Sequence, residues 1–312
     1  MMTNNTMQAI LIDRYGDANV LELRETDRPQ PQENEVLVRI AYASMIPLDW
    51  KIRNGWLEQV FPITFPYTPG FYASGIVETV GSQVTDLQPG DRVFGDLRSS
   101  YAQYAIAETG ALVKLPDSIS LQDAAAIKAG ADSAWKALFL EGNLQSGQTV
   151  LIHAAAGGVG QFAVQLAKWK GATVIGTASA DNVDFVQSLG ADQVIDYRSE
   201  DFAAIVHDVD LVVDTVGGDT EQRSWGVLKQ GGMLVSLVGD PDAEQATAHG
   251  VTAKFNTVFA AREHLLQIVN LIADGTLKVE TGRVYPLSQA GAAQQFSEQR
   301  HGRGRVLLNP EA

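Results

Sequence analysis

Between Gln8 and about Leu121, apolar residues come in short alternating or continuous runs: AILI, EVLVRIAYAS, ASGIVETVG, DRVFG and YAQYAIA. Pro, Gly, Asp and Asn separate them. Such runs between breakers predict short strands joined by tight turns, hence a small barrel-like module. Residues 80–95, VGSQVTDLQPGDRVFG, predict strand, turn, strand, with Pro89-Gly90-Asp91 supplying the turn. From about Gln122, helix-length stretches alternate with the β-branched runs TVLIH, ATVIGT, DQVID, DLVVD and GMLVSLVG. That alternation predicts a doubly wound parallel sheet, whose strands are continuous apolar runs because both faces are covered. After about Ala260, EHLLQIVNLIADG predicts a helix with a Gly stop. GRVLLNP then predicts a strand that folds back onto the first module. The fold class is therefore α/β in two domains: a β-rich domain of residues 1–121 and 260–312, and a doubly wound domain of residues 122–259.

With 312 residues and 45% hydrophobic content, the chain can bury two cores. A formal charge of −14 without a Lys/Arg run argues against nucleic acid or an anionic membrane as partner and favours a small molecule. The sequence contains no cysteine, which excludes disulfides, thiolate catalysis and Cys-ligated zinc. The histidines, His153, His207, His249, His264 and His301, show no metal-ligand spacing, so no metal site is expected. Neither a basic, apolar leader nor a run approaching the ~20 apolar residues of a membrane span is visible, and a cytoplasmic location is expected.

The densest chemical signal is VLIHAAAGGVGQFAVQLAKWKGATVIGTAS, from Val150 to Ser179. The dinucleotide fingerprint G-x-G-x-x-G aligns on Ala155, Gly157 and Gly160, with alanine in place of the first glycine, a strand before it and a helix after it. A helix from about Gly158 to Trp169 would put Val159, Phe162, Ala163 and Leu166 on one face and aim its first amides at a pyrophosphate. A Gly-rich turn serving only packing is the alternative. Ser179 stands where an acid would accept both ribose hydroxyls of NAD. A neutral hydroxyl removes the repulsion that an acid would exert on the extra phosphate of NADP, so NADPH is the expected cofactor. Tyr197, with Arg198 beside it, is a second candidate phosphate contact. Asp214 and Gly239 close the fourth and fifth strands, where ligands of open sheets bind. Val216, Leu237, Val238 and Gly239 are accordingly expected to line the nicotinamide crevice.

At this point the chain resembles the zinc-independent medium-chain dehydrogenase/reductases of the quinone oxidoreductase, or zeta-crystallin-like, family. The likeness runs through MQAILIDRYGDANVLEL, PLDWKIRNG, YTPGFYASGIVETVG, AAAIKAGADSAWKALF, HAAAGGVGQFAVQLAK and LGADQVIDY to the terminal GRGRVLL. The resemblance implies a GroES-like catalytic domain, a Rossmann domain with NADPH held in a cleft, hydride transfer to quinones or α,β-unsaturated carbonyls, and a homodimer. It places Ala156, Gly157, Gly158, Val159 and Gly160 at the pyrophosphate, Ser179 and Tyr197 at the 2′-phosphate, and Ser133 and Lys51 near the nicotinamide. Asn182 replaces a frequent Lys, leaving Arg305 in the tail as a candidate cation for that phosphate. Ile46 replaces the Asn of N-P-x-D, and Tyr72 replaces the Asp of P-G-x-D-x-S-G.

Reduction of an enone pushes negative charge onto its carbonyl oxygen, so a nearby donor lowers the barrier. Lys51 and Tyr72 are the candidate donors, with Asp49 as a holder of Lys51. Lys51 as a solvated charge and Tyr72 as pocket wall are the structural alternatives. Trp56, Phe61, Phe65 and Tyr67 suggest a hydrophobic entrance, although core packing is the commoner use of such residues. No Tyr stands four residues before a Lys, which argues against short-chain dehydrogenase chemistry, and GFYASG lacks a nucleophile elbow. A cofactor-binding sensor without turnover is the competing class. An enoyl-thioester reductase would need a basic patch that the sequence does not display.

Overall fold

The computed structural model describes residues 5–258, 261–299 and 302–312. His301 lies outside the described residues. The strands in chain order are β1 (Thr6–Leu11), β2 (Glu22–Asp27), β3 (Glu35–Ser44), β4 (Tyr72–Val80), β5 (Arg92–Asp96), β6 (Tyr104–Glu108) and β7 (Leu112–Lys114). Then come β8 (Thr149–Ile152), β9 (Thr173–Ala178), β10 (Gln193–Asp196), β11 (Val209–Asp214), β12 (Leu228–Ser236) and β13 (Thr252–Phe255). The tail supplies β14 (Thr281–Pro286) and β15 (Arg305–Asn309).

The chain divides into two compact units: Met1–Ala129 with Thr281–Ala312, and Gly130–Glu280. The first is the β-rich unit. Its main sheet runs β14-β15-β3-β4-β5-β7, with β6 also pairing with β3, and β1 and β2 form a separate hairpin-like pair. The tail does return to the first module, where β15 runs antiparallel to β3 through Leu307–Ser44 and Leu308–Ala43. Inward residues of alternating strands, among them Val38, Ile40, Val77, Val93 and Leu308, make one core. Each such side chain contributes ~1.5–3 kcal/mol on burial. Arg53 is the unexpected element of this unit. It is 1% exposed, donating to the Gly16 carbonyl at 3.0 Å, Gln294 Oε1 at 2.7 Å and Glu298 Oε1 at 2.5 Å. One side chain thus ties the start of the chain to the helix Ala290–Glu298 near its end.

The second unit is the doubly wound one, a six-stranded parallel sheet in the order β10-β9-β8-β11-β12-β13. The five apolar runs are its first five strands. β13, TAKF, is too short and too polar to stand out by pattern. The helix Gly160–Lys170 starts two residues later than expected and is buried nearly all round its first eight residues, not along one stripe. Gln161 and Gln165 explain this. Gln161 accepts from the Glu280 amide and donates to its carbonyl, both at 2.8 Å, and Gln165 does the same to Lys278 at 2.8 and 2.9 Å. The two amides act as strand partners for the Lys278–Glu280 backbone and hold it to this unit. The unit boundaries accordingly fall at 129/130 and 280/281, later than the expected 121/122 and 259/260, the latter within residues not described. At the other boundary the helix Leu121–Ala126 stays with the β-rich unit, where Ser74 Oγ donates to the Leu121 carbonyl.

Candidate functional site

β8 ends at Ile152, and the chain turns through Ala154, held in the left-handed region at φ 50°, before the helix begins at Gly160. A non-glycine residue there costs of order 1–3 kcal/mol and persists only where its surroundings impose it. The Ala155 amide donates to the Thr177 carbonyl and the Gly157 amide to that of Ala154, both at 2.9 Å. A Cβ on Gly160 would lie 2.3 Å from the Ala154 oxygen, so only glycine lets the helix start so close to the strand. The alanine in place of the fingerprint's first glycine is accommodated from across the sheet. Gly176 on β9 leaves room for the Ala155 methyl, which a Cβ at Gly176 would meet at 2.9 Å. Val159, at the helix N-cap, supplies no capping side chain. The amides of Gln161, Phe162 and Ala163 donate to the carbonyls of Gly157 and Val159 at 3.0–3.1 Å, so it is the Gly158, Val159 and Gly160 amides, at the positive end of the helix dipole, that suit a diphosphate. Ala156 is buried, while Gly157, Gly158 and Val159 are half-buried.

At the end of β9, Asn182 Nδ2 donates to Ser179 Oγ at 3.0 Å. The Tyr197 amide donates to the Ala178 carbonyl at 3.1 Å, which sets Tyr197 beside this strand end with 47% of its surface exposed. The Arg198 guanidinium lies 5.7 Å from the Tyr197 ring centre. Ser179, Asn182, Tyr197 and Arg198 therefore form one group. The candidate phosphate cation Arg305 belongs to the β-rich unit, where its guanidinium is buried and donates to the carbonyls of Met45 at 3.3 Å and Ala129 at 3.2 Å.

The ends of β11 and β12 are also adjoining. Asp214 accepts from the amides of Val216 at 2.9 Å and Gly217 at 3.0 Å, shaping the turn that presents Val216. Burial raises the Asp214 carboxyl while those two amides hold it down. The Leu237 amide donates to the Asp214 carbonyl at 2.8 Å, bringing Leu237, Val238 and Gly239 alongside. Thr215 Oγ1 donates to the His153 carbonyl at 2.9 Å and so ties this turn to β8. His153 itself is buried between Ser224 Oγ at 2.9 Å and Thr177 Oγ1 at 3.2 Å, and burial lowers its pKa to about 3. It is a neutral strut. No sequence signal distinguished it or Thr215 from other strand-end residues. Ser133 begins a helical turn between two π-helical stretches, Ile127–Asp132 and Lys136–Glu141, and its carbonyl accepts from Asn256 at 3.1 Å.

In the β-rich unit, Asp49 is 2% exposed in the helix Pro47–Arg53. Its Oδ2 accepts from the Ile46 amide at 2.8 Å and the Tyr101 hydroxyl at 3.0 Å. Burial raises its pKa to about 7, against the lowering pull of Ile46, Tyr101, Gly70 and the Arg305 charge. Burial likewise takes Arg305 down to about 10, with Asp49, Tyr72 and Tyr101 opposing. Asp49 therefore caps its own helix and faces Arg305. Lys51 stands two residues on in the same helix, a spacing that does not stack side chains one above the other. Lys51 is half-buried, its ammonium 6.0 Å from the Trp50 ring centre. Tyr72 opens β4, half-buried, in the field of Arg305. Of the aromatic residues, Phe61 and Tyr67 line a cavity, Phe65 packs edge-on against Tyr15 at 5.1 Å, and Trp56, 67% exposed, packs edge-on against Trp50 at 5.6 Å.

A GroES-like β unit continuous with a six-stranded parallel nucleotide sheet is the architecture of the medium-chain dehydrogenase/reductases. Residues 32–117 match the alcohol dehydrogenase GroES-like domain, and residues 189–308 match the zinc-binding dehydrogenase model. A chloroplast envelope quinone oxidoreductase homolog of Arabidopsis thaliana is 32% identical over 99% of this chain and 100% of its own. An NADPH-dependent alkenal/one oxidoreductase of the same plant is 30% identical, covering 97% and 80%. The Escherichia coli quinone oxidoreductase solved in complex with NADPH is 31% identical, covers 97% and 100%, and superposes with a TM-score of 0.87. The chain belongs to the quinone oxidoreductase family of the medium-chain dehydrogenase/reductases. The zinc of the matched model's name finds no donor set here. The sequence has no cysteine, and among the described residues no group of three or more His, Asp or Glu can hold a metal. Nor is any described helix long and apolar enough to cross a membrane.

Proposed function

We propose that this protein is an NADPH-dependent reductase of quinones or α,β-unsaturated carbonyls that works without zinc. The glycine turn carries the reading. A strained Ala154, a helix start open only to glycine and a turn whose Gly158, Val159 and Gly160 amides precede the first amides bonded within the helix make a site suited to a diphosphate. Bound NADPH supplies the hydride from its nicotinamide. Ala156 to Gly160 would hold the pyrophosphate, while Ser179, Asn182 and Tyr197 would receive the 2′-phosphate with Arg198, not Arg305, as the nearby cation. Val216 and Leu237 to Gly239 would flank the nicotinamide, with Ser133 beside it. Lys51 would stabilise the oxygen of the acceptor as it becomes negative, directly or through a ribose hydroxyl, and Tyr72 would donate the proton. Asp49 and Arg305 position this machinery by holding the helix Pro47–Arg53. The protein is further proposed to act as a homodimer, which light scattering would check. The deciding experiment follows the reduced-nicotinamide absorbance on adding 1,4-benzoquinone or an alkenal. Oxidation dependent on the acceptor supports the reading, and NADPH binding with no oxidation across an acceptor panel replaces it with a cofactor-sensing role.

A further inference from the structure

A cavity of about 500 Å³ opens in the β-rich unit between the 60–71 segment and the turn after β5. Phe61, Pro62, Ile63, Tyr67 and Phe71 supply its apolar wall, with Phe61 and Phe71 meeting edge to face at 5.6 Å. Such walls suit a planar ring. The charged residue on the wall is Arg98, exposed at the rim.

Arg98 differs from the other arginines that shape this unit. Arg53 and Arg305 are buried and spent on carbonyls and side chains of the fold, and Arg92 donates to the carbonyls of Pro116 and Ile119. Among the described residues, no hydrogen bond or ion pair engages Arg98, and its charge falls on the phenol of Tyr67 across the cavity wall. The backbone holds it there at a cost. Ser99 is in the left-handed region at φ 60°, its amide donating to the Gly70 carbonyl at 2.9 Å. Gly70 itself is at φ 103°, where a Cβ would fall 2.4 Å from Ser100 Oγ. A strained turn thus carries the cation to the mouth of an aromatic cavity, in a chain whose net charge of −14 would otherwise repel anions.

From this we propose that Arg98 is a specificity-determining residue: the cavity takes a planar aromatic acceptor bearing an anionic substituent, a carboxylate or sulfonate, with the ring against Phe61 and Phe71 and the anion on the guanidinium. The proposal deepens the reductase reading and rests on it for the word acceptor. A charge-assisted, two-pronged contact is the interaction an arginine fork offers to such a group.

The test measures binding and turnover separately, on the full chain with NADPH present. Calorimetric titration compares 2-naphthalenesulfonate with the neutral 2-naphthol. The wild type should favour the sulfonate by about tenfold, R98Q should abolish or invert the ratio, and R98K should keep part of it. Raising the salt concentration should shrink the wild-type ratio and leave that of R98Q unmoved, which a merely structural role would not produce. A wild-type ratio near one, or a preference that survives in R98Q, overturns the proposal. For turnover, kcat/KM for 1,2-naphthoquinone-4-sulfonate relative to 1,2-naphthoquinone should follow the same order. If both quinones are reduced without preference, the reductase reading stands and the role of Arg98 falls. If binding discriminates but neither quinone is reduced, the anion site stands and the reductase reading falls.

Discussion

The glycine turn of the parallel-sheet unit and the polar cluster beneath the helix Pro47–Arg53 solve opposite problems. The turn is built from neighbours in sequence, Ala154 to Gly160, and its binding groups are backbone amides that any residue possesses. Its specificity lies in what is left out, a Cβ at Gly160 that would strike the Ala154 carbonyl. The cluster joins Asp49, Tyr101 and Arg305, from one helix, a loop and the last strand, and its groups are side chains taken out of water. A local site of this kind is robust to changes elsewhere and intolerant of bulk. A non-local buried cluster is intolerant of losing any one charge, because its partner then stays buried and uncompensated.

The largest effect should come from breaking the cluster. Asp49→Ala strips Arg305 of its counter-charge, Tyr101 of its acceptor and the helix of its cap. Urea unfolding should show a loss of ~3–5 kcal/mol. Asp49→Asn, which keeps an acceptor for the Ile46 amide, should lose clearly less. At the proposed proton-and-charge site, Lys51→Ala should lower kcat with an enone by roughly 10²-fold if the ammonium serves the developing oxyanion. Unchanged turnover would remove it from that role. In the turn, Gly160→Ala should cost ~1–3 kcal/mol through backbone displacement and weaken NADPH binding measured by fluorescence.

Proton linkage sharpens the contrast because two buried groups, Asp49 and His153, respond to acid in opposite directions. The folded-state pKa of Asp49, about 7, lies above its ordinary value of 3.8. Its contribution is therefore fully present below the ordinary value and is lost as pH rises through about 7. His153 is depressed from 6.5 to about 3, so its contribution is present above 6.5 and lost as pH falls toward 3. Where the two windows overlap, from pH 3.8 to 6.5, acid strengthens the contribution of Asp49 and weakens that of His153, by up to ~1.4 kcal/mol per pH unit each. Unfolding midpoints at two pH values should shift with opposite sign in Asp49→Asn and His153→Asn relative to wild type. Parallel shifts would refute the assignment. The smallest effect expected is Ser179→Asp, which should move cofactor preference from NADPH toward NADH by about tenfold, as one added charge near a phosphate would.

Legibility followed the same division. Runs such as EVLVRIAYAS and DLVVD appear as β3 and β11 because strand pattern and burial are both local. The fingerprint's spacing identified the turn, and Ser179 and Tyr197 came with it as neighbours across β9 and β10. Partner assignments were less legible. Asp49 beside Lys51 in sequence suggested a pair, whereas the contacts seen at its carboxylate are the Ile46 amide and the Tyr101 hydroxyl, with the charge of Arg305 near. Arg305 in the tail looked available to a phosphate, whereas β15 carries it into a buried position. Gln161 and Gln165, on the same helix as the expected apolar face, are backbone partners for Glu280 and Lys278, which no spacing signalled.

The sequence alone determined the class of fold, the place of the glycine turn between strand and helix and the absence of cysteine thiols, since each depends on residue type and on spacing over one or two elements. Tertiary structure alone decided that the Arg198 guanidinium lies by the Tyr197 ring, why Ala155 is tolerated opposite Gly176, and where the charge of Arg98 is aimed. Those outcomes rest on desolvation and on contacts between distant segments. Their energies depend on what surrounds a group once water has left, and one-dimensional spacing does not record that.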